Sequence, residues 1–150
     1  PYHAVELLGE FLSDMDRELL CVINLKTDGT PINCHIASMG AINQTIAEPR
    51  ELFKASILFN AAQMILVHNH PGGSLEPSKA DTVLTDRMLK LTELMGITLA
   101  DHIIVGGDNK SYFSFKEKEI LTAPPIYLST DYKMLDFGNK AMVAEQGRAR

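Results

Sequence analysis

The chain is organised around fourteen consecutive residues, His68-Asn69-His70-Pro71-Gly72-Gly73-Ser74-Leu75-Glu76-Pro77-Ser78-Lys79-Ala80-Asp81. An apolar run over residues 64–67 precedes them and predicts a strand, on which His68 and His70 share a face because side chains alternate along a strand. Pro77 and Ser78 predict the start of a helix whose first turn carries Asp81. Two imidazoles and one carboxylate, without a fourth protein ligand, predict an open zinc site that keeps a position for water.

The rest of the chain predicts helices and strands that act as a scaffold for this site. Helices are predicted over residues 2–12, 48–61 and 78–95, and further strands over 19–25, 32–39, 98–105 and 112–115. The run 19–25 is apolar on both faces, which predicts a central strand, and Asp28-Gly29 predicts a tight turn into the next strand. Gly96 is suited to cap the long helix. The core-facing stripe of that helix is predicted to be Leu84, Met88, Leu91 and Met95.

Composition limits the function. The 150 residues suffice for one domain with a core that needs no metal or disulfide, so a zinc ion is predicted to be catalytic. A net charge of -5 and a pI of about 5.5 argue against nonspecific binding of phosphate backbones. Direct nucleic-acid binding through a local basic patch is left open, but the charge does not support it.

The cysteines and the apolar runs predict a cytoplasmic protein with no membrane association. Cys21 and Cys34 lie in apolar, strand-like surroundings without CxxC spacing, which predicts two buried, free thiols in a reducing compartment. No stretch approaches the roughly twenty apolar residues that span a bilayer. Because the chain opens at Pro1 without a methionine, we allow for a longer parent protein. The sequence leaves the oligomeric state open.

Each part of the central stretch also has a purely structural interpretation. His68 and His70 could be polar residues at a strand end, and Ser78 with Asp81 fits a Ser-x-x-Asp capping box. Their combination within fourteen residues favours the metal site.

The spacing His-x-His-x7-Ser-x2-Asp resembles the JAMM motif of JAB/MPN-domain metalloproteases. More specifically, residues 68–71, Gly73, Pro77-Ser78 and Asp81 resemble the signature of the RadC family. The resemblance extends to residues 49–54 and to residues 101–105 with 114–115, and covers roughly residues 5–120. Two positions depart from the pattern. Gly72 stands where RadC proteins usually have serine, and Asn69 where JAMM deubiquitinases have serine or threonine, so ubiquitin-like isopeptidase activity does not follow directly.

The resemblance implies an α/β fold of the JAB/MPN type, which is cytidine-deaminase-like: a mixed, curved β-sheet flanked by helices. We assign this domain to residues 1–122. At Pro124-Pro125 the composition changes to mixed polar and apolar residues. We interpret residues 123–150 as a C-terminal appendage of uncertain order.

The resemblance also implies roles for individual residues. His68, His70 and Asp81 would hold Zn²⁺, Glu18 would be the general acid/base, and Ser78 would donate to the oxyanion. Glu51 is the second choice for the acid/base, although a charge at a helix start is its better interpretation.

Three functions are compatible with these residues. The leading expectation is a zinc-dependent metallohydrolase that cleaves an amide or isopeptide bond in a peptide or isopeptide substrate of unknown identity. The first alternative is a RadC-like accessory module in DNA repair, recombination or mobile-element biology, without peptidase turnover. The second is a scaffold that keeps the metal for stability. His102 could orient a metal ligand, but such a histidine is more often a core residue, so we do not count it as catalytic.

Overall fold

The computed structural model of the protein describes residues 1–40, 48–108 and 110–121. Three helices and five strands follow one another there in the predicted order. The appendage predicted for residues 123–150 lies outside the described residues. The elements are α1 Tyr2–Ser13, β1 Leu19–Leu25, β2 Pro31–Met39, α2 Pro49–Leu58, β3 Gln63–Asn69, α3 Lys79–Met95, β4 Thr98–Val105 and β5 Tyr112–Ser114.

The strands form one mixed sheet in the order β2-β1-β3-β4-β5. Strand β1 runs antiparallel to β2 and β3, β4 runs parallel to β3, and β5 runs antiparallel to β4. The parallel pair β3 and β4 requires a crossover, which α3 supplies. Every residue of β1 is buried, which confirms the predicted central strand. The predicted mixed α/β fold is also confirmed.

The helices cover both faces of the sheet. Helix α1 packs on one face, where the buried residues are Ala4, Val5, Leu12, Leu19, Cys21, Ile23, Leu25, Val67, Ile103 and Val105. Helices α2 and α3 pack on the other face, where the buried residues are Leu20, Val22, Leu52, Phe53, Met64, Leu66, Met88, Ile97 and Leu99. Because side chains alternate along β3, His68 shares the α3 face with Met64 and Leu66.

The face that α3 turns to the sheet differs from the prediction. Only Met88 of the predicted stripe is fully buried, whereas Leu84 and Leu91 are partly buried and Met95 is 48% exposed. The buried residues of α3 are Asp81, Thr85, Met88 and Thr92. The hydroxyls of Thr85 and Thr92 donate to backbone carbonyls one turn back, at 2.7 Å in each case, so both side chains can be buried without an unpaired donor.

The two cysteines are free, as predicted, but only one of them is buried. Cys21 lies on the central strand β1, whereas Cys34 is exposed on β2, the edge strand of the sheet. The prediction of a buried Cys34 was therefore wrong, because an apolar sequence context does not reveal which strand lies at the edge. Among the described residues, no helix has the length and apolar character that crossing a membrane requires.

Candidate metal centre

Four side chains that could hold a metal ion converge where β3 meets α3. They are Glu18 immediately before β1, His68 in β3, His70 just after β3, and Asp81 in the first turn of α3. One ligand atom from each lies within 4.8 Å of the others. The structure thus brings together the three residues predicted as metal ligands and the glutamate predicted as acid/base.

The distances suit a small ion with tetrahedral geometry. Nε2 of His68 lies 3.0 Å from Oδ1 of Asp81, and Nε2 of His70 lies 3.0 Å from Oδ2 of the same carboxylate. The two Nε2 atoms are 3.1 Å apart. Around a tetrahedral zinc ion with bonds of about 2.0–2.1 Å, neighbouring ligand atoms lie roughly 3.3 Å apart. An outward shift of a few tenths of an ångström would therefore accommodate the ion.

The other ring nitrogen of His70 fixes which atom faces the cluster. Nδ1 of His70 lies 2.9 Å from the carbonyl oxygen of Ser74. A carbonyl can only accept a hydrogen bond, so Nδ1 carries a proton. Nε2 faces Oδ2 of Asp81 at 3.0 Å, and a metal ion bound there would replace the proton that Nε2 donates to this carboxylate.

The capping box and the metal cluster share Asp81. Oγ of Ser78 accepts a hydrogen bond from the Asp81 amide at 3.1 Å, and the Ser78 amide donates to Oδ2 of Asp81 at 2.7 Å. The cap engages Oδ2, while Oδ1 faces His68. The structural interpretation and the metal interpretation are therefore compatible, because the helix cap aims the carboxylate at the histidines.

The charges in the cluster are strongly coupled. Burial alone would raise the pKa of Asp81, but hydrogen bonds from His68 and His70 outweigh burial and hold that pKa well below its usual range. The hydrogen bond to Asp81 raises the pKa of His70 against the opposing effect of burial. The cluster therefore favours a positive charge, which a proton or a metal ion can supply.

Glu18 lies at the edge of the cluster. Its Oε1 is 3.7 Å from Nε2 of His70, farther than the Asp81 carboxylate, and its side chain is 16% exposed. Both neighbours of Glu18 are held by the buried Asn69: Oδ1 of Asn69 accepts from the Leu19 amide at 2.8 Å, and Nδ2 donates to the Arg17 carbonyl at 3.1 Å. Asn69 thus ties the backbone around Glu18 to the end of the histidine strand.

A family model described as a RadC-like JAB domain matches residues 1–120. The chain belongs to the RadC family. It is similar to UPF0758 proteins of Desulforamulus reducens (43% identical, 81% of this chain and 52% of the relative), Protochlamydia amoebophila (40%, 79% and 51%) and Clostridioides difficile (39%, 81% and 51%). The chain thus spans about half the length of these curated relatives. Membership confirms the predicted family, and the mixed sheet with three helices agrees with the predicted JAB/MPN type of fold.

Glu51, the second choice for the acid/base, lies outside the cluster in this RadC domain. It occupies the first turn of α2, where its side chain is 45% exposed and forms an ion pair with Lys54 at 2.9 Å. This position agrees with the interpretation of Glu51 as a helix-start charge.

Three polar residues around the RadC site have roles that the sequence patterns do not predict. Asn69 is only a departure from a motif in the sequence, His102 has the pattern of a core residue, and Thr85 belongs to no motif. His102 is fully buried, stacks on Phe115 with ring centroids 4.9 Å apart, and bonds to His68. Burial above all lowers the pKa of His102 well below its usual range, so its ring is neutral. One local signal pointed to Thr85: it lies four residues after Asp81, which places both side chains on the same face of a helix.

Proposed function

We propose that this RadC domain is a zinc-dependent hydrolase that cleaves an amide or isopeptide bond in a peptide-like substrate. One observation carries the proposal: two imidazole nitrogens and one carboxylate converge within about 3 Å of one another beside a second carboxylate, that of Glu18. Two nitrogens and one carboxylate oxygen are a donor set that zinc prefers, and three protein ligands leave one position open for chemistry.

Each residue of the cluster has a role in this proposal. His68, His70 and Asp81 would hold the ion. A bound zinc ion would polarise a water molecule and the scissile carbonyl, and would lower the pKa of the water toward neutrality. Glu18 would accept the proton of the water and pass it to the leaving amine. The exposed Ser78 would donate a hydrogen bond to the carbonyl oxygen as negative charge develops there, because its Oγ accepts from the Asp81 amide and its hydroxyl proton remains available.

The test is metal analysis combined with turnover. The purified chain is expected to hold about one zinc ion per molecule by elemental mass spectrometry, as three protein ligands imply. It is expected to cleave members of a library of peptides and of lysine-linked isopeptides. A chelator should abolish cleavage and added zinc should restore it. A stably zinc-loaded chain that cleaves no member of the library would contradict the hydrolase.

A zinc-loaded chain without hydrolysis would favour the alternative function, a RadC-like accessory module in DNA repair, recombination or mobile-element biology. The net charge of -5 does not favour direct contact with DNA. Electrophoretic mobility shifts with duplex and branched DNA at low salt separate the cases. A salt-dependent shift would support direct binding, and its absence would leave only a role through a protein partner.

Zinc affinity is expected to fall as the pH falls through the raised pKa of His70. The hydrogen bond to Asp81 raises this pKa above the ordinary histidine value of about 6.5. Below it the ring holds a proton that zinc must displace, so this residue weakens binding by up to about tenfold per pH unit. Asp81 does not contribute to the pH dependence of zinc affinity near neutrality, because its lowered pKa keeps the carboxylate ionised. Chelator competition measures the affinity, and a flat profile between about pH 5.5 and 8 would contradict the prediction.

A further inference from the structure

A chain of hydrogen bonds leaves the cluster at His68 and returns to it at Asp81. Nδ1 of His68 lies 2.9 Å from Nε2 of His102, and Nδ1 of His102 lies 2.6 Å from Oγ1 of Thr85. Oγ1 of Thr85 donates to the backbone carbonyl of Asp81 at 2.7 Å. All of these side chains are buried, with His102 at 0% and Thr85 at 3% exposure, so water does not compete for their hydrogen bonds.

From Thr85 to His68 the chain has one direction of hydrogen bonding. The Asp81 carbonyl can only accept, so the single hydroxyl proton of Thr85 goes to it, and Oγ1 must accept from Nδ1–H of His102. The neutral His102 ring then has a lone pair on Nε2, which accepts from Nδ1–H of His68. Nε2 of His68 lies 3.0 Å from Oδ1 of Asp81, so Asp81 and His102 offer acceptors to the two nitrogens of the same ring. The acceptor on His102 holds a proton at Nδ1 of His68, and a metal ion bound at Nε2 would take the place of the contact with Asp81.

We propose that Thr85 and His102 are positioning residues that set the tautomer of His68 and so prepare its Nε2 to bind a metal ion. His70 needs no such chain, because a backbone carbonyl sets its tautomer directly. Three parts of the fold contribute: β3 carries His68, β4 carries His102, and α3 carries Thr85. The inference rests on the metal site of the proposed function, but it does not depend on hydrolysis.

The chain offers a matched pair of variants for the test. Thr85 and Thr92 lie on the same helix, are each 3% exposed, and each donate to a carbonyl one turn back at 2.7 Å. Thr85→Val and Thr92→Val therefore remove the same hydroxyl from equally buried positions of one helix. Only Thr85→Val removes the oxygen atom that accepts the hydrogen bond from Nδ1 of His102. His102 is then expected to shift its proton to Nε2, which forces His68 to protonate at its own Nε2, the atom that should bind the metal.

Zinc affinity is expected to fall by about tenfold or more in Thr85→Val, the range seen when a partner of a metal-binding histidine is lost. Thr92→Val should stay within about twofold of the parent, and Thr85→Ser, which restores the hydroxyl, should recover the affinity. Thermal unfolding of the metal-free variants checks that both valine variants fold.

Nitrogen-15 NMR of the metal-free proteins, about two pH units above the ordinary histidine pKa, reads the tautomer directly. The parent and Thr92→Val should show His68 protonated at Nδ1, and Thr85→Val should show it protonated at Nε2. Equal zinc affinity in the two valine variants, or a His68 without a proton on Nδ1 in the parent, would overturn the inference. Because neither readout requires turnover, a chain that binds zinc without hydrolysis would refute the hydrolase and leave this inference standing.

Discussion

Replacing Asp81 with asparagine is expected to weaken zinc binding by more than roughly 100-fold, the upper range for losing a hydrogen-bond partner of a ligand. The carboxylate is the only negatively charged member of the three closely spaced ligand atoms, at 3.0 Å from both histidines. An amide oxygen is neutral and is not among the ligands that zinc prefers. Chelator competition and elemental analysis measure the loss.

Asparagine separates the two roles of Asp81. Its side-chain oxygen can still accept from the Ser78 amide, so the capping box should persist and the helix content of the metal-free variant should match the parent by circular dichroism. Ser78→Ala is the reciprocal variant. It removes the acceptor for the Asp81 amide, and we expect it to cost about 0.5–2 kcal/mol of stability while zinc is retained. An Asp81→Asn protein that keeps stoichiometric zinc would refute Asp81 as a ligand.

The arrangement of His68, His70 and Asp81 could be predicted because its geometry is local. Strand alternation puts both histidines on one face, and the capping box determines where the first turn of the helix directs its carboxylate. Glu18 is different, because nothing near it in the sequence indicates a metal. Its place follows from the antiparallel register of β1 and β3, in which Leu20 pairs with His68. Only the family resemblance pointed to it.

The supporting polar residues could not be predicted from hydrophobic periodicity. That pattern counts leucines and methionines, so it assigned Met95 to the core and overlooked Thr85. A buried threonine that bonds to the carbonyl one turn back is compatible with any core-facing helix position. Its role depends on what lies opposite, and the neighbour of Thr85 is His102 from β4, a contact between residues of different elements. The sequence alone does not specify such contacts.

Glu18→Gln is expected to lower the rate of hydrolysis by about 10²–10⁴-fold, the usual contribution of a general acid/base. Glutamine has nearly the same shape and can occupy the same place beside His70, but it cannot take up a proton at neutral pH. Zinc affinity should change only a few-fold, because the three closer ligand atoms remain. The rate is measured on whichever library member the parent protein cleaves, with zinc content determined on the same samples.

The zinc measurement decides between two roles that the position of Glu18 allows. Glu18 belongs to the group of four potential ligands, so it could close the coordination shell and leave no position for water. If Glu18→Gln loses zinc together with activity, Glu18 is a ligand and the site is structural rather than open. If zinc stays and activity falls, Glu18 is the general acid/base. Glu51→Gln is the matched control, because Glu51 is half-exposed and paired with Lys54 outside the cluster. A loss of activity in Glu51→Gln with none in Glu18→Gln would transfer the acid/base role to Glu51.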